Sequence, residues 1–239
     1  MKYILLLLVG ISLFFSCRYL GGKRVRGNGV QDTEQRSVGS FDGIVSHGSF
    51  DVTVVTGNTH SVTVEADENL MEYIETEVDG DNLKISTRRG YNLRPRSDVR
   101  ITVTAPGFNE LSSHGSGNIR GKGPIKATDH AKLHLSGSGN IDVDIEAPSV
   151  DAQIAGSGNI SVSGSAKSFS GTIHGSGNIR ARDMKSEQSK VEIAGSGDVE
   201  VTASNKLDIN IMGSGGVKYH GDAQVNTNIA GSGSVTRMN

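Results

Sequence analysis

The sequence predicts an all-β protein: a right-handed β-solenoid (β-helix) with about 18–22 residues per coil and a less regular β N-terminal half. Three observations carry that prediction. Gly-Ser-Gly recurs seven times, beginning at Gly115, Gly137, Gly156, Gly175, Gly195, Gly213 and Gly231, at intervals of 22, 19, 19, 20, 18 and 18 residues. Apolar residues and motif glycines alternate with polar ones around each copy, as in Val150, Ala152, Ile154, Gly156, Gly158, Ile160 and Val162. Gly makes up 32 of 239 residues while aromatics are 5% and Trp is absent, so the core must be thin and built from Ile, Val and Leu.

Alternation with period two marks strands with one buried face. A single such strand cannot bury that face, whereas stacked copies can, so a period near 20 residues reads as a solenoid. Each coil adds ~4.8 Å, and six intervals give a body ~29 Å long. An antiparallel meander or barrel would need strands of ~13 residues, above the usual range. The repeat positions are Gly115, Gly117, Asn118, Gly137, Gly139, Asn140, Gly156, Gly158, Asn159, Gly175, Gly177, Asn178, Gly195, Gly197 and Asp198. The glycines fit either a thin corner where opposite walls approach or a sharp bend at positive φ. The Ser and Asn at the other parity form vertical ladders, facing either solvent or the interior.

From the N-terminus, residues 1–16 read as a signal peptide: Lys2, an apolar run from Ile4 to Phe15, then Ser16. That run is too short for an ordinary membrane span. Cys17 follows as the only cysteine, in an arrangement that resembles a bacterial lipobox, with Phe14 in place of the usual Leu. Cys17 is the expected lipidation site, and the acyl chains would anchor the chain in a membrane, each methylene adding ~0.8 kcal/mol. Residues 17–38 read as a flexible tether with a basic start at Arg18, Lys23, Arg24 and Arg26. Residues 39–110 read as a β cap with strand-like runs at Val52–Val55, Ser61–Val64, Asn82–Ile85 and Val99–Val103. A short helix or bend is expected within Glu68–Glu77, and Gly48-Ser49-Phe50-Asp51-Val52 reads as a degenerate repeat. Residues 111–239 are the repeat solenoid.

The stretch from about residue 38 to 237 resembles the head-GIN domain family, whose name assigns it to autotransporter adhesins. The resemblance rests on FDGIVSHGSFDVTVVTG, on SVTVEADENLMEYIETEVDGDNLKIST leading into VRITVTAP, and on the run of Gly-Ser-Gly-Asn-Ile motifs. It implies a small β-solenoid on an exported protein, often a lipoprotein of Gram-negative bacteria, and carries over no catalytic residues. Gly216 and Ser234 replace the motif Asn in the last copies.

Other chemistries fit poorly. Calcium-binding nonapeptide repeats need closely spaced acids, and only Asp198 is acidic among the motifs. A phosphate loop needs a Lys and a following helix. His114 and His174 fall three coils apart, too far to share a metal, and His130 and His134 lack a third ligand in the sequence. The acids Asp142, Asp144, Glu146, Asp151, Glu192 and Glu200 are spread out, without the paired carboxyls of a glycosidase. No enzyme activity, cofactor or metal is expected, and a net charge of -2 speaks against nucleic acid. The remaining local feature is Arg88, Arg89, Arg94, Arg96 and Arg100. It reads either as a solvated hairpin loop or as a contact for an anionic ligand, since guanidinium forks suit carboxylate and phosphate. Two functions stay open: an adhesin-like module binding glycan or matrix, and a structural envelope protein that forms homo-oligomers. Both place the chain in the cell envelope, at the outer membrane on either its periplasmic or its surface side.

Overall fold

The structure, a computed structural model, describes residues 22–238. It is 73% strand and 3% helix, a β-solenoid of about seven turns. The N-terminal half runs β1 (Lys23–Arg26), β2 (Gln31–Arg36), β3 (Gly43–Gly48), β4 (Asp51–Thr56) and β5 (Ser61–Asp67). A 3-10 helix (Glu68–Tyr73) leads to β6 (Ile74–Asp79), β7 (Asn82–Thr87), β8 (Tyr91–Arg94) and β9 (Arg100–Ala105). The repeat half runs β10 (Glu110–Gly115), β11 (Asn118–Lys126), β12 (His130–Gly137), β13 (Asn140–Gly156) and β14 (Asn159–Gly175). It continues through β15 (Asn178–Gly195), β16 (Asp198–Gly213), β17 (Gly216–His220), β18 (Gln224–Gly231) and β19 (Ser234–Arg237).

From β10 onward every coil pairs in parallel with the next, in register at the motif: Asn140 with Asn159, Ile141 with Ile160, Gly156 with Gly175. The long strands β13 to β16 each bend around a corner; between β13 and β14 the pairing skips Pro148, which has no N–H to donate. A coil therefore has two walls. Ile141, Val143 and Ile145 face inward from one, and Val150, Ala152 and Ile154 from the other, all buried. Branched aliphatic chains suit a pleated surface and fill most of this narrow space; one buried ring, Phe169, takes the Val150 position in the next coil, beside Gly171.

The first motif glycine answers a coil-on-coil constraint at positive φ, and the second also a close approach of the other wall, where a Gly158 Cβ would lie 2.6 Å from Leu135 Cδ2. Gly156 has φ +139, and a Cβ there would lie 2.3 Å from the Gly137 carbonyl oxygen of the coil below. That oxygen already accepts hydrogen bonds from the N–H groups of Ser157 and Gly158, at 2.9 and 3.2 Å. Gly158 has no special φ, but its Cβ would meet the Gly139 oxygen at 2.3 Å. So the first glycine of the motif serves both geometry and space, and the second serves space alone.

The N-terminal half does not stack in sequence order. β3 and β4 form the degenerate repeat coil: Gly48 is paired with Gly115, Asp51 with Asn118 and Val52 with Ile119. That coil lies between β10/β11 on one side and β7/β9 on the other. Antiparallel strands then close the stack: β6 on β7, β5 on β9, and β2 on β5. The 3-10 helix buries Leu70 and Met71 against this end.

The expected flexible tether needs correcting. Within residues 17–38, Lys23–Arg26 and Gln31–Arg36 are strands, paired with β8 and β5 respectively. Composition sees a Gly-rich polar run; it does not see that two strand edges distant in sequence offer it hydrogen bonds. Arg36 secures the end of β2 by donating to the carbonyls of Ile74 (2.6 Å) and Met71 (2.9 Å). The signal-peptide reading and Cys17 lie outside the described residues.

Candidate functional site

The motif asparagines form a ladder on the outside of the coils. Asn118 donates its amide to Asp51 at 2.6 Å, Asn140 to Asn118 at 2.8 Å, Asn159 to Asn140 at 3.0 Å and Asn178 to Asn159 at 2.9 Å. At the upper end Asn178 accepts from the Asp198 N–H, and Asp198 accepts from the Gly216 N–H. Where Asn gives way to Asp198 and Gly216, backbone donors take over. Each side chain is spent on the next coil, so the ladder stitches the stack.

The wall that carries β12 and β18 presents a regular polar grid. One row runs His130, Ser149, Ser168, Gln188, Lys206, Gln224 and the next Lys132, Asp151, Ser170, Lys190, Asp208, Asn226, all in register. A shallow groove of about 270 Å³ lies between these rows, lined by His130, Ser149, Asp151, Ser170, Lys190 and Asp208 among others. Within it Asp151 Oδ2 accepts from Gln153 at 2.8 Å. Its Oδ1 is covered yet has no hydrogen-bond partner among the described residues. Donors and acceptors thus repeat every ~4.8 Å up this wall.

The five arginines singled out by sequence do not act as one group. Arg88 is held by Glu75 (3.4 Å) and Glu72 (3.6 Å) and lies over the Tyr73 ring, while Arg100 pairs with Asp98 at 2.7 Å. Arg89, Arg94 and Arg96 are exposed. The backbone of Arg96 donates to Asp67, a carboxylate buried to 0% exposure. Gly29 N–H, Ser97 N–H and Ser97 Oγ also donate to it. Burial pushes the Asp67 carboxyl up, but these four hydrogen bonds outweigh it and hold it below the usual range.

Sequence reasoning missed a histidine cluster. His47 stacks on His114 with ring centroids 4.9 Å apart, and His134 meets His114 edge-on at 5.3 Å. The signal was available: His47 and His114 precede the same motif position in adjacent coils. Burial, then the neighbouring His47 and His134, push the His114 imidazole below its ordinary value. His130 bonds Ser149 at 2.7 Å instead of meeting His134. Three coil steps separate His114 from His174, as the spacing required. Among the described residues no group of three or more His, Cys, Asp or Glu is arranged to hold a metal. The acids considered for hydrolysis divide between the walls: Asp142, Asp144, Glu146 and Glu200 on one, Asp151 and Glu192 on the other.

No curated protein matches the chain. Among solved structures, a protein from Parabacteroides distasonis ATCC 8503 described as a putative lipid binding protein is 31% identical. That match covers 91% of this chain and 100% of the other, with a TM-score of 0.78. A putative adhesin from Bacteroides fragilis NCTC 9343 superposes with a TM-score of 0.85 at 21% identity, over 90% of this chain and 100% of that one. A putative adhesin from Parabacteroides merdae ATCC 43184 gives 0.73 at 22% identity, over 91% and 100%. Both show the same fold. Residues 40–223 match the model of the family described as putative auto-transporter adhesin, head GIN domain, and the chain belongs to that family.

Proposed function

We propose that this chain is a non-enzymatic, adhesin-like binding module, exported and anchored in the envelope through acylated Cys17, that offers its gridded wall to glycan or matrix polymer. One observation carries the reading: the groove around Asp151, where two in-register rows of Ser, Gln, Lys and Asp side chains from successive coils form one repeating polar surface. A polymer carrying hydroxyls or amides would exchange hydrogen bonds with these exposed rows in place of water. The wall has no aromatic platform, so each contact is weak and strength comes from repetition along the coils. The family description of an adhesin supports a binding role at the cell surface or envelope.

The test is a glycan and matrix array probed with the chain from residue 22 to 239. A cut at Gly39 would remove β1 and β2, which belong to the fold. Retention on one ligand class, reduced at least tenfold by Asp151→Ala with Lys190→Ala, supports the reading. Retention unchanged by that pair refutes the groove.

A second reading, self-association, is favoured by the last coil. Among the described residues β18 pairs with β16 on one side alone, its strand carries no charged side chain, and Ile229 is 41% exposed. Uncharged edge strands of this kind pair readily with other chains. Concentration-dependent oligomers abolished by Thr227→Lys would support it.

A further inference from the structure

Two basic segments that are remote in sequence become one surface. β1 lies parallel to β8 with Arg24 opposite Asn92, Val25 opposite Leu93 and Arg26 opposite Arg94. Val25 and Leu93 turn inward, half-buried, while Arg24, Arg26 and Arg94 are exposed. Arg96 extends the cluster, its Cδ lying near the Gly29 turn that follows β1. None of these four arginines is in an ion pair among the described residues. In sequence no Asp or Glu precedes Asp32 and none falls between Asp81 and Asp98, and the Asp67 carboxylate beneath the ribbon is buried and spent on backbone donors. On a chain whose net charge is -2, positive charge has been segregated here.

Like charges set directly opposite each other in a strand pair are destabilising, and Arg26 and Arg94 are so placed. The ribbon is nonetheless firmly built. Lys23 N–H donates to the Gly90 carbonyl at 2.7 Å, and Gly27 N–H to that of Arg94 at 2.9 Å. Asn69 donates to the Arg26 carbonyl at 2.9 Å, and the Asp67 carboxylate ties Gly29 to Arg96 and Ser97. Gly27 is required for this clasp, since a Cβ there would meet Asp67 Oδ2 at 2.0 Å. A local rule broken on a rigid support marks a surface made for a ligand. The ligand must be polyanionic. The ribbon starts six residues after Cys17, so whatever holds that cysteine lies within a short reach of it.

We propose that the β1–β8 ribbon docks on an anionic membrane surface, reading the phosphates of lipid headgroups through Arg24, Arg26, Arg94 and Arg96. The N-terminal end of the solenoid is thereby set against the bilayer, and the gridded wall stands away from it. The ribbon's charge acts without the acyl anchor, so the surface is testable alone and independently of any glycan.

The experiment is co-sedimentation of the acyl-free chain from residue 18 to 239, which keeps every described strand. The vesicles are phosphatidylcholine alone and phosphatidylcholine mixed with phosphatidylglycerol. The chain should bind only the anionic vesicles, and binding should weaken as salt rises. Each arginine near such a surface is worth roughly five-fold, so changing all four to Ser should weaken binding by on the order of 10²–10³-fold. The same four changed to Lys should stay within a few-fold of the parent, which separates charge from folding. Changing Arg120, Lys122, Arg180 and Lys185 to Ser, an equal charge loss on the repeat body, should have little effect. Failure of the parent to sediment with anionic vesicles, or equal losses from the two Ser sets, would overturn the proposal. So would tighter binding to a phosphate-free polyanion such as polygalacturonate.

Discussion

The two halves of the molecule solve the same problem, burial of a flat apolar wall, by different means. In the repeat half each coil is fixed by the coil beneath it through glycines and asparagines that recur at one register. In the N-terminal half the stack is reordered, antiparallel strands seal its end, and single polar residues such as Asp67 and Arg36 each secure several segments. Repetition gives growth and a regular surface; irregularity gives an end. The most severe lesions in the first half should therefore be steric, and in the second they should be lost hydrogen bonds.

The largest expected effect is Gly156→Ala. It combines a positive φ with a Cβ 2.3 Å from a carbonyl oxygen, and should cost about 3–5 kcal/mol, read as a large fall in Tm or loss of folded chain. Gly39→Ala, in open space and at an ordinary φ, should change stability by less than about 0.5 kcal/mol. Equal effects would remove the coil-stacking account.

Next is Asp67→Asn, which leaves buried donors facing a neutral amide. A loss of about 2–4 kcal/mol is expected by denaturant titration. Because the folded carboxyl titrates below its usual 3.8, the parent's advantage is complete above that value and declines as pH falls below it toward the folded pKa. The variant should lack that decline.

Smaller is Asn159→Ala, which opens one rung between Asn140 and Asn178. Both partners can turn to water, so about 0.5–1.5 kcal/mol is expected. The smallest effect is at the histidine cluster. His114 is held below its ordinary 6.5, so as pH falls below 6.5 the unfolded chain takes up the proton first and stability declines. His114→Asn should flatten the stability profile between 6.5 and the folded pKa.

Much of the repeat half was legible because its constraints are local in sequence. Period two gave the walls, the 18–22 residue spacing gave the coils, and the degenerate copy at Gly48 to Val52 lies where its likeness to Gly115 to Ile119 required. The 3-10 helix fell inside the expected bend at Glu68–Glu77. What the sequence withheld is non-local pairing. Nothing in Lys23–Arg26 announces Tyr91–Arg94 as its partner, so a structured basic ribbon read as a tether, and the arginine set read as one loop when Arg88 and Arg100 already had acidic partners. The groove at Asp151 was equally hidden, since it depends on which outward residues five coils bring into line.

Together the two proposals divide the labour: the N-terminal end would face the membrane and the gridded wall would meet the ligand. The most direct test is array retention of three proteins spanning residues 22–239: the parent, the Asp151→Ala/Lys190→Ala variant, and the variant with Arg24, Arg26, Arg94 and Arg96 changed to Ser. The parent and the arginine variant should be retained alike while the wall variant is lost. Retention that survives the wall changes and disappears with the arginines, or a parent that binds nothing, would contradict that division.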